Sequence, residues 1–327
     1  MHRSRAQLLL GLGLVVLILA FASLTVGKAT VPLSAWLAGD ADPRWRIIMI
    51  LRAPRTLLGI LVGASLGLCG AAMQGYTRNP LADPALLGVS TMAALGAVIS
   101  LYFGYAQVRP FGLEGAAIAG SILGVVLMAV LAGQRTTALV FLLAGLVLNT
   151  FASAGVSLAL SLSPNSWSSQ EILNWLMGSL ADHSMDDVAL AAPLILAGGA
   201  LLLSLGRSLD ALSLGEDGAR LLGVNLSSAR LRLVAGLGLA SGAAVAAVGS
   251  VGFVGLIAPH LMRRLAGPLP SALLIPSALA GAALVLAADI LVRLTPAGVE
   301  LRLGVATALL GAPFFLFLLL SLRRRLA

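Results

Sequence analysis

The sequence has few charged residues, one lysine and one cysteine, and each shortage excludes a class of protein. Only 10% of its 327 residues are charged, 59% are hydrophobic, and the mean hydropathy is +1.01. Because soluble domains carry about 25% charged residues, this composition excludes a water-soluble protein. Lys28 follows Gly27, but the next residue is Ala29 where a P-loop has Ser or Thr. Without the full glycine-rich turn of a P-loop, the chain is not a P-loop nucleotidase.

The number and spacing of the cysteine and histidine residues predict no metal site and no cofactor in this chain. Cys69 stands alone, and His2, His183 and His260 are far apart in the sequence. A single cysteine forms no internal disulfide or thiolate cluster, and the histidines lack metal-ligand spacing. The net charge of +8 fits a cytoplasmic membrane face, in contact with lipid, better than it fits nucleic acid.

Long uncharged apolar runs dominate the chain. At about 20 residues per span plus short connections, the length predicts roughly ten transmembrane helices. The predicted spans are residues 8–26, 56–75, 85–105, 115–131, 138–160, 188–205, 233–250, 252–262, 272–291 and 303–322. The eighth is short, and residues 172–180 predict an interfacial or re-entrant helix. The predicted fold class is an all-α integral membrane protein, with one transmembrane domain over residues 1–327.

The distribution of arginine predicts the orientation. With ten spans and a cytoplasmic N-terminus, the loops on the cytoplasmic side hold most basic residues, so both termini are predicted to be cytoplasmic. Arg52 and Arg55 are exceptions on the outer side. The first span, after Arg3 and Arg5, also resembles a cleavable signal peptide, but its apolar stretch is longer than a usual signal core and favours a retained helix.

The spans are rich in glycine and poor in ionisable groups. In the second span the glycines recur every three or four residues, as Gly238 and Gly242 do in the seventh, which favours close helix packing. Asp289, near the outer end of the ninth span, is the main ionisable candidate. It is interpreted as a satisfied helix-end residue, and a functional role is the alternative. Because no charge sits clearly at mid-membrane, transport energy is predicted to come from outside this chain.

Two stretches carry a family resemblance. The first runs from Arg52-Ala53-Pro54-Arg55 to residues 74–90, which contain Asn-Pro-Leu-Ala-Asp-Pro. The second comprises residues 214–224 and 252–260, which end in Leu-Ile-Ala-Pro-His. Together they resemble the permease subunits of bacterial ABC importers for iron-siderophores, haem and cobalamin, from residue 52 to the C-terminus.

The resemblance implies an assembly in the bacterial inner membrane. A second permease copy completes the translocation path, which favours a homodimer. Two ATP-binding subunits dock on the cytoplasmic side and carry the ATP and Mg. A periplasmic or lipid-anchored binding protein delivers the cargo. The resemblance also implies an inverted repeat in which spans 2–5 match spans 7–10, and no catalysis in this chain.

The connection over residues 210–228 is the predicted coupling segment. Its acidic start and Gly223 predict a short helix closed by a glycine, with Glu216 and Asp217 at the positive helix N-terminus. A plain amphipathic connector is the alternative. The resemblance implies that this segment seats in the ATPase, through Glu216, Asp217, Gly218, Ala219, Arg220, Leu221, Leu222 and Gly223.

Two further groups of residues receive roles from the resemblance. Arg52, Arg55 and Arg293 are predicted to receive acidic residues of the binding protein, since guanidinium groups engage carboxylates in bidentate fashion. Anchoring to lipid head groups is the alternative. A turn near the inner gate or the ATPase is predicted at Asn79, Pro80, Asp83 and Pro84. The prolines keep the preceding residues out of a helix, and the Asn and Asp side chains can bond the nearby backbone.

The predicted function is a permease subunit that imports an iron complex, siderophore or haem. A cobalamin permease of the same family is the alternative. An ion-coupled carrier with inverted repeats is a weaker one, because it would need an ionisable group at mid-membrane. An intramembrane enzyme would need paired catalytic groups at one depth, and the sequence shows none.

Overall fold

A computed structural model describes residues 2–27, 29–133, 138–296 and 301–326, so Lys28 lies outside the described residues. A π-helix, Ile47–Arg52, runs directly into α3, and short 3-10 helices cover Gly39–Ala41 and Pro84–Leu87. The α-helices are α1 (His2–Thr25), α2 (Leu33–Ala38), α3 (Ala53–Thr77), α4 (Val89–Tyr102), α5 (Tyr105–Val108), α6 (Gly112–Ala132), α7 (Ala138–Ser161), α8 (Ser166–Leu176), α9 (Met185–Leu203), α10 (Gly206–Leu212), α11 (Glu216–Leu221), α12 (Leu226–Val248), α13 (Val254–Ala266), α14 (Pro270–Arg293) and α15 (Leu303–Leu326).

The predicted all-α membrane fold is confirmed. Within the described ranges, seven helical segments are long and apolar enough to cross a membrane. These belong to α1, the π-helix with α3, α6, α7, α9, α12 and α14. The apolar helix α4 and the apolar part of α15 are shorter, and α13 has 13 residues. Each predicted span therefore coincides with a helix, while the total of ten crossings stays a prediction.

Local capping shifts two helix starts away from their predicted positions. The third span was predicted from residue 85, but α4 begins at Val89 because Gly88 adopts a φ of +73° after the 3-10 turn. Such a conformation is open to glycine and ends the turn. The seventh span starts earlier than predicted, because the Asn225 side chain accepts a hydrogen bond from the Ser228 N–H at 3.0 Å and caps α12.

Helix α3 lies at the centre of the bundle and packs against α9, α12, α13 and α14. Glycines make its closest contacts possible. A Cβ on Gly63 would lie 2.4 Å from the Gly281 carbonyl oxygen, and one on Gly67 would lie 2.1 Å from that of Ser277. These glycines therefore let the α3 and α14 backbones touch, as the small-residue spacing predicted.

The packing also shows the relation between the two halves. Gly238 and Gly242 of α12 face Val125 and Ser121 of α6, and the Ser121 hydroxyl donates to the Gly238 carbonyl at 2.7 Å. The second predicted span thus packs on the ninth, and the seventh packs on the fourth. An exchange of spans 2–5 with spans 7–10 maps each of these pairs onto the other.

The two central helices run in opposite directions, as an inverted repeat requires. Gly59 lies against Leu180, just before α9, and Gly199 lies against Leu68, so α3 and α9 run parallel. Along α9 and α12 the order reverses, since Gly198 faces Ala240 and Leu202 faces Gly236. Helices α3 and α12 are therefore antiparallel.

Candidate functional site

Arginines predicted to dock a partner gather at the Ala53 end of α3, around Asp289. Arg55 donates to Asp289 through Nε at 2.9 Å and Nη2 at 2.6 Å. Arg293 donates to the same carboxylate through Nε at 2.9 Å. Asp289 is 1% exposed, so its charge is balanced inside the protein by two guanidinium groups. This confirms the interpretation of Asp289 as a satisfied helix-end residue.

Two of the three arginines also hold the end of α1. Arg52 donates to the carbonyl oxygens of Leu24 and Thr25 at 2.9 and 2.8 Å, and Arg293 donates to that of Ser23 at 2.6 Å. Carbonyls at a helix C-terminus lack intrahelical partners and favour such cations. Arg52 is only 6% exposed, and the Arg293 side chain is equally buried. Arg55, with 19% of its side chain exposed, is the most accessible of the three.

A cavity of about 340 Å³ opens beside these arginines. Its lining includes all three predicted docking residues together with Asp182 and Arg302. The sequence placed the three arginines on one side of the membrane, and the structure brings them into one site. Whether a binding protein docks there stays a prediction.

The turn over residues 79–84 lies at the opposite end of α3. Asn79 accepts a hydrogen bond from the Leu81 N–H at 2.9 Å, and Asp83 accepts one from the Ala85 N–H at 2.8 Å. Pro80 is exposed, whereas Pro84 is buried and packs against Gly255 of α13. The predicted turn is confirmed. Its contact with an ATPase or an inner gate stays a prediction.

Burial raises the pKa of the Asp83 carboxyl, and the Ala85 N–H opposes this shift. A raised folded-state pKa means that stabilisation by Asp83 is complete below its unfolded-state pKa and is lost as the pH rises through the folded value. We therefore expect Asp83→Asn, which keeps the acceptor oxygen, to raise the melting temperature at about pH 8. This advantage should shrink toward about pH 4. Asp217→Asn, at an exposed carboxylate, is the control, and an advantage independent of pH would contradict the prediction.

The predicted coupling helix is present as α11. It ends in a Schellman motif: the Gly223 N–H bonds the Arg220 carbonyl at 2.9 Å, and the Val224 N–H bonds that of Ala219 at 3.0 Å. Gly223 has a φ of +79°, as the predicted glycine stop requires. Arg220 pairs with Asp217 at 3.0 Å on the helix surface. The sequence therefore predicted both the helix and the residue that ends it.

Helix α11 buries one residue and exposes an apolar pair. Ala219 is fully buried, whereas Leu221 is 90% exposed and Leu222 is 63% exposed. Two exposed leucines beside an exposed carboxylate make this end of α11 a candidate contact surface. The neighbouring α10 is fixed to the bundle, because Asp210 accepts a hydrogen bond from the Ser271 N–H in the first turn of α14 at 2.8 Å.

Comparisons with known proteins show which protein family this chain belongs to. The FecCD transport family matches residues 15–321. The chain belongs to this family. The hemin transport system permease HmuU of Yersinia pestis is 37% identical over 99% of this chain and 98% of its own length. The vitamin B12 import system permease BtuC of Salmonella typhimurium matches with the same identity and coverage.

A solved structure agrees with this assignment. It shows an inward-facing ABC transporter assigned to the metal-chelate type, with a TM-score of 0.85 and 33% identity over 96% of this chain and 99% of its own. The chain is thus a membrane permease of the ABC importer class, and the family resemblance of residues 52–90 and 214–260 is confirmed. An ion-coupled carrier is not supported.

Sequence analysis missed a buried arginine in this FecCD permease. Arg230 of α12 is 6% exposed and donates to the Tyr76 hydroxyl at 3.0 Å and the Gly133 carbonyl at 3.3 Å. Its guanidinium also lies 5.8 Å from the centre of the Phe141 ring. It therefore joins α3, α6, α7 and α12 near the coupling segment. An arginine among small and apolar residues early in a span was the available signal.

A polar stripe on α7 was also missed. Asn149, Ser153 and Ser157 recur at four-residue spacing, which places them on one face of the helix. Asn149 is hydrogen-bonded to Thr91 of α4. Polar residues at helical spacing inside an apolar span were the signal that could have found this face.

Proposed function

We propose that this permease imports an iron complex, a ferric siderophore or haem, across the bacterial inner membrane, driven by ATP hydrolysis in a partner. The observation that carries the coupling part is the exposed pair Leu221 and Leu222 at the end of α11, the helix that Gly223 terminates. The identity of the cargo is supported by the hemin relative and by the metal-chelate transporter. Cobalamin is the second candidate, on the BtuC relatives.

The proposed assembly has two copies of this chain, two ATP-binding subunits and one periplasmic or lipid-anchored binding protein. ATP and Mg belong to the ATP-binding subunits, and both termini of this chain face the cytoplasm. Helix α11 and the 79–84 turn face the ATPase, because both lie at the Thr77 end of α3. Arg55 receives an acidic residue of the binding protein, while Arg52 and Arg293 hold the end of α1 beneath it.

The α14 helix links the two proposed contact regions. Its first turn is bonded to Asp210 of α10, and its last turn carries Asp289 and Arg293. Between them it packs along α3 through Gly63, Gly67 and Gly281. A continuous, closely packed helix pair transmits displacement with little compression, so a movement of the coupling segment reaches the docking end.

The test is ATPase activity of the full complex in lipid vesicles. The purified permease and ATP-binding subunits are assayed with a binding protein loaded with ferric siderophore, haem or cobalamin. Glu216→Arg with Leu221→Asp is expected to reduce the stimulated activity about tenfold or more, because burial of one leucine contributes about 1.5–3 kcal/mol. Leu37→Asp is the matched control, since Leu37 is 86% exposed and lies near the opposite end, after α1.

Loss of stimulation in the double variant, with the Leu37→Asp complex unaffected, supports the proposed coupling site. Equal activity in all three complexes would show that α11 is a plain connector. Transport that follows a proton or sodium gradient without ATP would overturn the proposed function.

A further inference from the structure

The last turn of α3, residues 74–78, is held by two arginines from later helices. Gln74 is 3% exposed and accepts a hydrogen bond from Arg263 Nη2 of α13 at 2.8 Å. Tyr76 is 5% exposed, and its hydroxyl accepts one from Arg230 Nε of α12 at 3.0 Å. Buried polar contacts of this kind select one arrangement of the packed helices. The end of α3 therefore has a fixed position relative to α12 and α13.

The Tyr76–Arg230 pair reaches further than the Gln74 contact. The Tyr76 ring meets the Phe141 ring of α7 edge-on, with 5.4 Å between the centroids. The Arg230 guanidinium, through Nη1, also donates to the carbonyl of Gly133, the residue that ends α6. Because a lost bond would leave a buried polar group unsatisfied, this pair holds four helix ends together.

The coupling segment adjoins the same turn of α3 on both of its sides. Leu209 of α10, directly before the segment, lies against Gly75, where a Cβ would be 3.5 Å from Leu209 Cδ1. Gly215 precedes α11 and lies beside the side chain of Arg78, since a Cβ on Gly215 would be 3.7 Å from Arg78 Nη1. Arg230 comes two residues after the segment. A displacement of α11 therefore meets the end of α3 first.

The 79–84 turn continues directly from this end of α3. Arg78 has a φ of +53° and ends the helix, and Asn79 is the next residue. The turn is braced within itself, because Asn79 and Asp83 each accept a hydrogen bond from the N–H two residues later. A movement of the last turn of α3 is therefore passed on to the 79–84 turn.

The geometry points to Tyr76 and Arg230 as positioning residues for the coupling step. Their hydrogen bond fixes the end of α3 to the start of α12, so that a displacement of the coupling segment moves the 79–84 turn and is not lost in a rotation of α3. This inference rests on the proposed coupling to an ATPase and names the residue pair through which it reaches the bundle. Both residues are buried, so they act through the helix ends and not by contact with the ATPase.

Tyr76→Phe is the sharpest test, because it removes the hydroxyl and keeps the ring against Phe141. The full complex in lipid vesicles is given ferrichrome, haemin or cyanocobalamin on the binding protein, and the cargo imported per ATP hydrolysed is measured. We expect this ratio to fall about fivefold, the effect of one lost hydrogen bond. Tyr102→Phe is the matched control and should keep the native ratio. Its hydroxyl also joins two segments, through the Leu162 carbonyl at 3.1 Å, but at the far end of α4.

A second variant shows whether the two residues act through one bond. Arg230→Lys keeps the charge but loses the planar fork that bonds Tyr76 and Gly133 together. We expect it to lower the same ratio. Combined with Tyr76→Phe, it should lower the ratio no further than the larger single effect, because both changes break one contact. Losses that multiply in the double variant would contradict the pair.

Thiol labelling separates positioning from a merely structural role. The natural Cys69 is buried, so Leu86→Cys, at a residue 41% exposed just after the turn, supplies the accessible thiol. In the otherwise native complex we expect ATP to change its rate of labelling by a methanethiosulfonate reagent about fivefold or more. Tyr76→Phe should abolish this response, and Tyr102→Phe should retain it.

The outcomes distinguish this inference from the function on which it rests. A native complex whose labelling ignores ATP, or a Tyr76→Phe complex that responds and imports like the native one, would overturn the positioning role. A lower melting temperature for Tyr76→Phe with an unchanged import ratio would do the same. In each case loss of stimulation in the Glu216→Arg, Leu221→Asp complex would leave the proposed function intact. Failure of the native complex to import any of the three cargos with ATP would overturn both.

Discussion

Gly70→Ala is expected to prevent stable assembly of the bundle. A Cβ at this position would lie 1.8 Å from the Gly255 carbonyl oxygen and 2.5 Å from its carbonyl carbon. Both atoms belong to the backbone of α13, where Pro259, four residues later, offers no N–H to that carbonyl. The α3 and α13 helices would therefore have to separate. Overpacking typically costs about 1–3 kcal/mol. We expect the upper end here, because backbone atoms cannot rotate away from the added Cβ, and this is a large part of the stability of a typical domain.

The measurement is thermal stability of the detergent-solubilised chain by fluorescence-detected size exclusion. Gly13→Ala in α1 is the matched control, because a Cβ there meets nothing within 4 Å and alanine favours the helix. We expect a loss of monodisperse Gly70→Ala protein and a native profile for Gly13→Ala. Melting temperatures of the two variants within about 2 °C would show that the close approach of α3 to α13 is not needed.

Asp289→Asn is expected to destabilise the Ala53 end of α3 by about 3–5 kcal/mol. The native carboxylate faces two guanidinium groups, and its side chain is only 2% exposed. Without the negative charge, Arg55 and Arg293 repel each other across a largely buried neutral side chain. Arg293 also holds Ser23 at the end of α1, so the substitution should loosen the α1 contact as well.

A compensating change separates charge from shape. Asp289→Asn with Arg293→Gln restores the excess of positive charge to that of the native site, and we expect part of the lost stability to return. Asp42→Asn removes the carboxylate of the exposed Asp42–Arg44 pair, whose N···O distance is 2.7 Å, and should leave the melting temperature unchanged because exposed pairs contribute little. A native melting temperature for Asp289→Asn, or no gain in the double variant, would refute the buried ion cluster as a source of stability.

Apolar runs and local capping residues were sufficient to predict where the helices lie. The apolar runs located each predicted span, because a transmembrane helix satisfies its own backbone and needs only a long enough apolar segment. Gly223 marked the end of α11 for the same local reason, since a left-handed residue must follow that helix. The start of α12 was missed by several residues, because the cap at Asn225 precedes a polar first turn that hydropathy does not detect.

Contacts between residues far apart in the chain could not be predicted from the sequence. Asp289 and Arg55 are 234 residues apart, and nothing local to either indicates the other. Asn149 of α7 and Thr91 of α4, which are hydrogen-bonded, are likewise 58 residues apart. By itself the sequence determined a membrane-embedded helical protein, the positions of its apolar helices and the end of α11, because these depend on short-range hydrophobicity and backbone capping. The tertiary structure alone decided which arginines are buried, which helices run antiparallel and which glycines touch a neighbouring backbone, because those properties belong to helix pairs.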